Sequence, residues 1–176
     1  MKMTFYADAL QIGLDKVERH KNYWLWDTIQ EVASEATAEL QKAHPKTRFE
    51  VWLPDSGELL KFASLPSDDE ESEGWSYLAD KHAGSGHSYD HPTATIACVR
   101  VPMKGENDLI DHGVLITVDG RLNVEFDDGS SFRQALMQLF RQGTTAQIFS
   151  NFVESSLRYR ERALAALAEK RLRVGR

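Results

Sequence analysis

The chain has 176 residues, of which 41% are hydrophobic and 27% are charged, and its formal net charge is −6. These values are ordinary for a globular protein of this length, so we expect one soluble domain over residues 1–176 with a sizeable core. Apolar runs of only a few residues exclude a membrane-spanning helix. The single cysteine excludes an internal disulfide framework and indicates a cytoplasmic location.

The first third of the chain has helical periodicity. Apolar residues recur three and four positions apart from Leu10 to Val17, and again from Trp26 to Ala43. Residues at these spacings share one face of a helix, so we predict a long amphipathic helix here, continuous or broken near Asn22. Pro45 ends it, because a residue that precedes proline avoids helical geometry.

Four bulky residues follow one another in this helical region, from Tyr23 to Trp26. Successive helix residues are about 100° apart, so a helix that is buried on one side cannot hide all four. Either the helix is central, or part of the cluster contacts a partner. Trp24 is therefore a candidate partner-binding residue, and a homodimer is one form that such an interface would take.

The middle of the chain has strand patterns. Alternating apolar residues at 48–53 and 58–62 flank the turn signal Pro54–Gly57, and 94–101 is a further β-rich run. Residues 114–118 and 122–126 alternate around Asp119-Gly120, which predicts a hairpin with a two-residue turn. Together these patterns predict about five strands in a mainly antiparallel sheet.

Two helices are predicted after the strands. Ser130 or Ser131 is the expected N-cap of a short helix, and Gly143 separates it from a long one. The predicted fold is α+β: a sheet packed against long N- and C-terminal helices. The end of the last helix, 158–176, holds seven Lys/Arg against two Glu, so this tail carries +5 and the rest of the chain −11.

An insertion at 66–93 separates two of the predicted strands and has little regular periodicity. Long irregular insertions are often functional or disordered, which makes this segment the candidate site. Its acidic half should contact either a partner or the basic tail. With the aromatic residues, the candidate partner-binding set is Asp68, Asp69, Glu70, Glu71, Glu73, Trp75, Tyr77 and Trp24.

The second half of the insertion is rich in histidine. Imidazole and carboxylate groups are preferred zinc ligands, which makes His82, His87, His91 and Asp90 a candidate metal site. The three histidines are five and four residues apart, so their side chains converge only in a suitable local conformation. The alternative is a polar loop whose histidines are incidental.

No complete catalytic or phosphate-binding motif is present in the sequence, so we expect binding rather than catalysis. The leading hypothesis is a protein-binding module, such as an inhibitor, an immunity-type protein, a chaperone or an adaptor, that uses an acidic surface to meet a basic partner. One alternative is a metal-dependent or histidine-assisted hydrolase centred on His82, His87 and His91. Another is an inhibitor that mimics nucleic acid. Direct nucleic-acid binding is disfavoured by the acidic body.

Overall fold

In a computed structural model of the chain, the described residues are 5–21, 24–52, 58–65, 68–85, 91–102 and 112–175. They form five helices and one five-stranded antiparallel sheet, and helices from both ends of the chain flank the sheet. The predicted α+β class is confirmed. Residues 22 and 23, where the predicted helix was either continuous or broken, and the predicted turn at 54–57 lie outside the described residues.

The elements are numbered in chain order. The helices are α1 (Phe5–Lys21), α2 (Trp24–Ala43), α3 (Asp69–Lys81), α4 (Gly129–Arg141) and α5 (Gly143–Val174). The strands are β1 (Thr47–Trp52), β2 (Glu58–Ser64), β3 (Thr93–Arg100), β4 (Gly113–Thr117) and β5 (Asn123–Phe126). Each strand pairs with the next one in the chain, so the sheet order is β1-β2-β3-β4-β5.

One face of the sheet carries the hydrophobic core. Phe62 of β2 lies opposite Phe49 of β1, and its ring also packs against Phe140 of α4 and Phe152 of α5. Residues that lie directly opposite each other on neighbouring strands point to the same face of the sheet. Helices α2 and α4 and the N-terminal half of α5 cover this face. Trp24, at the start of α2, belongs to the same core.

Helix α4 begins with a capping box. The Asp128 carboxylate accepts a hydrogen bond from the Ser131 N–H at 2.7 Å, and the Ser131 hydroxyl accepts one from the Asp128 N–H at 3.1 Å. These bonds satisfy backbone donors that have no partner within the helix. The predicted N-cap, Ser130 or Ser131, is wrong because both residues are already helical and Asp128 supplies the cap.

The tip of the second hairpin is wider than the predicted two-residue turn. β4 ends at Thr117 and β5 begins only at Asn123. The Asp119 carboxylate accepts hydrogen bonds from the Thr117 hydroxyl at 2.6 Å and from the Arg121 N–H at 3.1 Å. Gly120 takes a φ of 71°, as expected for glycine at a turn. The side-chain bonds of Asp119 hold a longer loop, which the Asp-Gly pair alone did not predict.

Part of the predicted irregular insertion is helical. Asp68 caps α3 by accepting a hydrogen bond from the Glu71 N–H at 2.7 Å, and three acidic residues in the first turn favour the positive end of the helix dipole. α3 also packs along α5. The prediction of an irregular segment is therefore wrong for 69–81, because a cap and a tertiary contact outweigh the weak periodicity.

The contact between α3 and α5 is closest at Gly74. A Cβ atom at this position would overlap the backbone carbonyl of Ala163, which is itself fully buried. The absence of a side chain lets the two helix backbones approach each other. Gly74 therefore sets the distance between these helices.

We expect Gly74→Ala to lower the free energy of unfolding by about 1–3 kcal/mol, because the added methyl group must push the helices apart. Urea denaturation followed by far-UV circular dichroism measures this change. Gly143→Ala is the control, since no atom lies within 4 Å of a Cβ there. The control should be neutral or more stable by up to about 1 kcal/mol. Equal stabilities of the two variants would contradict the close contact.

Candidate partner-binding surfaces

The acidic part of the insertion forms a row of ion pairs with the end of α5. Three pairs cross between α3 and α5, each with a nitrogen–oxygen distance of 2.9 Å: Glu70 with Arg171, Glu73 with Lys170, and Lys81 with Glu169. We call these pairs the α3–α5 seam. Of the two contacts expected for the acidic segment, a partner or the basic tail, the structure shows the contact with the tail.

A buried carboxylate lies at the N-terminal end of the same helix. Glu71 is only 3% exposed, and its Oε2 lies 3.8 Å from Lys46 Nζ and 3.6 Å from Arg160 Nε. Asp68 Oδ2 is 3.9 Å from Arg160 Nη2. A buried charge is tolerated when opposite charges surround it, and these two cations supply that compensation.

The aromatic residues of the insertion face inward. Trp75 is 6% exposed, and its ring packs against Tyr159 of α5 and against His91. Tyr77 is half-buried. Trp24 is 8% exposed within the main core, which agrees with the core alternative for this residue, and Tyr23 lies outside the described residues.

The predicted partner-binding residues are thus largely occupied within the chain. Four of the acids lie within ion-pair distance of a cation of this protein, namely Asp68, Glu70, Glu71 and Glu73. Asp69 is exposed and has no ion pair among the described residues. A partner contact through this segment stays a prediction, but the geometry gives these side chains structural roles.

The histidine half of the insertion lies partly outside the described residues. His82 follows α3, and its N–H donates to the Leu78 carbonyl at 3.2 Å. His91 packs on Trp75. His87 and Asp90 are not described. Within the described ranges, no three His, Cys, Asp or Glu residues are grouped to hold a metal ion. The zinc site stays a prediction, because two of its four ligands are outside those ranges.

A groove of about 470 Å³ runs between α2 and α4. Its walls come from residues at helical spacing on each helix: Val32, Ala36 and Leu40 on α2, and Leu136, Met137 and Phe140 on α4. Val32 and Leu136 are buried, whereas the Met137 side chain is 52% exposed. We call this surface the α2–α4 groove. Its apolar side chains that reach solvent are Met137 and, in part, Leu40 and Phe140.

An ion pair joins the two walls of the α2–α4 groove. Arg133 of α4 donates two hydrogen bonds to the Glu35 carboxylate, from Nε at 2.7 Å and from Nη2 at 2.6 Å. The hydrogen bond from Arg133 lowers the pKa of Glu35, and the same bond raises the pKa of Arg133. A bidentate pair fixes orientation as well as distance. It therefore orients the two side chains that join α2 and α4.

The α2 wall of the groove carries two acids, Glu35 and Glu39, and the row to which they belong extends along α2 beyond the groove. Four exposed carboxylates follow one another at intervals of four residues: Asp27, Glu31, Glu35 and Glu39. Residues at this spacing are neighbours on one helix face. We call this row the acidic ridge. Its regular spacing is visible in the sequence, but its position beside an apolar groove depends on the packing of α4.

Helix α1 exposes apolar side chains on more than one face. Five of its hydrophobic residues are more than half exposed: Phe5, Tyr6, Leu10, Ile12 and Leu14. α1 packs against α2. Large exposed apolar patches commonly mark interaction surfaces.

No protein-family model, no curated protein and no solved structure matches the chain. None of the described helices is both long enough and apolar enough to cross a membrane. The function is therefore inferred from the geometry of the described residues.

The α3–α5 seam should make stability depend on pH. A hydrogen bond from Lys170 lowers the pKa of Glu73, and one from Lys81 lowers the pKa of Glu169. Both carboxylates have a lower pKa in the folded chain than in the unfolded chain. Their stabilisation is complete above about pH 4.3, the ordinary glutamate value, and is lost as the pH falls through their folded pKa values.

We expect the Glu73→Gln/Glu169→Gln variant to lose less stability than the wild type between about pH 5 and pH 2. Urea midpoints across this range measure the difference. Glu125→Gln/Glu161→Gln is a control with the same charge change, because both residues are exposed and neither has an ion pair among the described residues. If the two double variants have the same pH profile, the seam does not stabilise the fold.

Proposed function

We propose that the chain is a protein-binding module and that the α2–α4 groove is its binding surface. The observation that supports this proposal is an apolar groove beside a row of four exposed acids, of which only Glu35 has an ion-pair partner within the described residues. An inhibitor, an immunity-type protein, a chaperone and an adaptor would each need such a surface.

The apolar floor supplies binding energy. Leu40 and Phe140 are only partly buried, and Met137 is mostly exposed. Covering apolar surface contributes about 25 cal/mol per Å². Methionine adapts its shape to different partners, and this is one reason why it recurs at binding surfaces. The floor therefore has the character of the apolar centre of an interface.

The acidic ridge supplies charge selectivity. Its negative field extends toward any group that enters the groove, and complementary charges raise association rates and reject wrong partners. A partner with a basic surface was expected from the acidic body of the chain. The ridge on α2 supports this expectation better than the insertion does, because the insertion's acids already have partners in α5.

The other two hypotheses gain less support. Mimicry of nucleic acid needs an unneutralised array of carboxylates, and those from Asp68 to Glu73 are mostly paired with cations of the same chain. The hydrolase centred on His82, His87 and His91 stays a prediction, and the described part of the chain adds no observation in its favour.

We expect Met137→Glu to abolish partner capture, because it places a charge in the apolar floor. Wild-type protein immobilised on resin should retain a specific protein from a native cell extract, identified by mass spectrometry. The variant should retain at least about tenfold less, the effect of losing one well-buried interface contact.

Leu157→Glu on α5 is the matched control, since this leucine is 55% exposed and does not line the groove. The control should capture the partner as well as the wild type does. Circular dichroism and urea midpoints of both variants confirm that they remain folded. Capture by Met137→Glu at the wild-type level would contradict the proposal.

A further inference from the structure

We infer that the α2–α4 groove binds a basic amphipathic α-helix of the partner protein. This inference rests on the proposed function, because it names the occupant of the same groove. Three features of the groove support it: the kind of element that forms its walls, the spacing of its apolar residues, and the distribution of charge along its rim.

The walls favour a helix over an extended segment. Both walls are α-helices, in which backbone N–H and C=O groups are already bonded within each helix. An extended peptide that enters the groove would find few backbone partners, so its own polar groups would be left unsatisfied. A helix satisfies its backbone internally and presents only side chains. The occupant that loses the fewest hydrogen bonds is therefore helical.

The apolar spacing has the period of a helix. On α2 the floor residues Val32, Ala36 and Leu40 are four apart, and on α4 Leu136 and Phe140 are also four apart. The stretch from Val32 to Leu40 is about 12 Å long, which is a little over two helical turns. Apolar anchors at positions i, i+3 or i+4, and i+7 of a partner helix cover this length.

The charge at the rim selects a basic helix. Like charges four residues apart destabilise a helix, so the acidic ridge has a cost to α2 when it stands alone. Asp27 lies in the first turn, where the helix dipole offsets that cost. Glu35 is paired with Arg133, whose charge also attracts Glu31. Within the described ranges neither Glu31 nor Glu39 has an ion pair. Arg133 is therefore the one ion-pair partner described for the three carboxylates Glu31, Glu35 and Glu39.

Cations at four-residue spacing on a partner helix would lie alongside Glu31, Glu35 and Glu39. Val32 of α2 and Leu136 of α4 are buried in the core, so the two walls are already in place before the partner arrives. A groove that is formed in advance costs less conformational entropy when it is filled. The ion pair of Glu35 neutralises this carboxylate in part, so most of the attraction for the partner should come from the acids on either side of it.

The test uses the full chain and three labelled peptides of about 18 residues, or five helical turns. The first peptide has leucines at i, i+3, i+4 and i+7 and arginines along the flanking positions. In the second peptide glutamates replace the arginines. The third has the composition of the first in an order that removes its amphipathic pattern. Fluorescence anisotropy measures binding at several salt concentrations.

We expect only the basic amphipathic peptide to bind, with an affinity that falls as salt screens the charges. The variant Glu31→Gln/Glu39→Gln should bind it about three- to tenfold more weakly and with a smaller salt dependence. Glu125→Gln/Glu161→Gln is the control with equal net charge and should bind as the wild type does. Met137→Glu should also lose binding of this peptide.

Several outcomes would overturn the inference. Equal binding of the basic and acidic peptides would remove the role of the ridge. Binding of the scrambled peptide, or binding that survives Met137→Glu, would show that the peptide does not occupy the groove. Self-association of the wild type that Met137→Glu abolishes, measured by sedimentation, would make a second copy of the chain the occupant.

The inference and the proposed function fail in different ways. If a protein is captured through Met137 but the basic peptide does not bind, the chain is a protein-binding module with another kind of ligand. If the peptide binds in the groove but Met137→Glu captures its cellular partner normally, the groove has the inferred chemistry and the proposed function is wrong about its use.

Discussion

The structure depends on the close approach of α3 and α5 at Gly74. Helix α5 has 32 residues, and Phe152 in its N-terminal half packs on Phe62 of the sheet. Ala163, farther along α5, is buried where α3 lies against this helix. The absence of a side chain at Gly74 allows contact with Ala163, and the Trp75 ring packs on Tyr159. The ion pairs of the seam also join the two helices. Surface ion pairs alone contribute little, so packing must carry most of this contact.

This contact changes the functional meaning of the charge pattern. The acidic segment and the basic tail compensate each other within the chain. Neither is then freely available for a partner. The acidic ridge on α2, which borders an apolar groove, is less fully compensated, because only Glu35 of its four acids has an ion pair within the described residues. Charge and apolar surface together distinguish a binding surface from an ordinary solvated helix face, because either one alone is common on protein surfaces.

The sequence predicted the elements that short-range patterns determine. Alternation identified the strands, and the apolar period identified α2, the element that later proved to form one wall of the groove. Helix α3 was not predicted, because its many acidic residues and its glycine leave few apolar residues at helical spacing. Its stability comes from residues of α5 far along the chain. The groove was missed for a similar reason. Its walls meet at Glu35 and Arg133, which are 98 residues apart, and local periodicity carries no information about such pairs.

We propose that the α2–α4 groove, and not the acidic segment, binds the partner. A methyl-resolved NMR titration of the full chain with the basic amphipathic peptide tests this claim directly. The methyl signals of Leu40 and Met137, which line the groove, should shift in proportion to bound peptide. Those of Leu78 on α3 and Leu167 on α5 should stay unchanged. Shifts at Leu78 and Leu167 with none at Leu40 and Met137 would contradict the claim and return the binding role to the acidic segment.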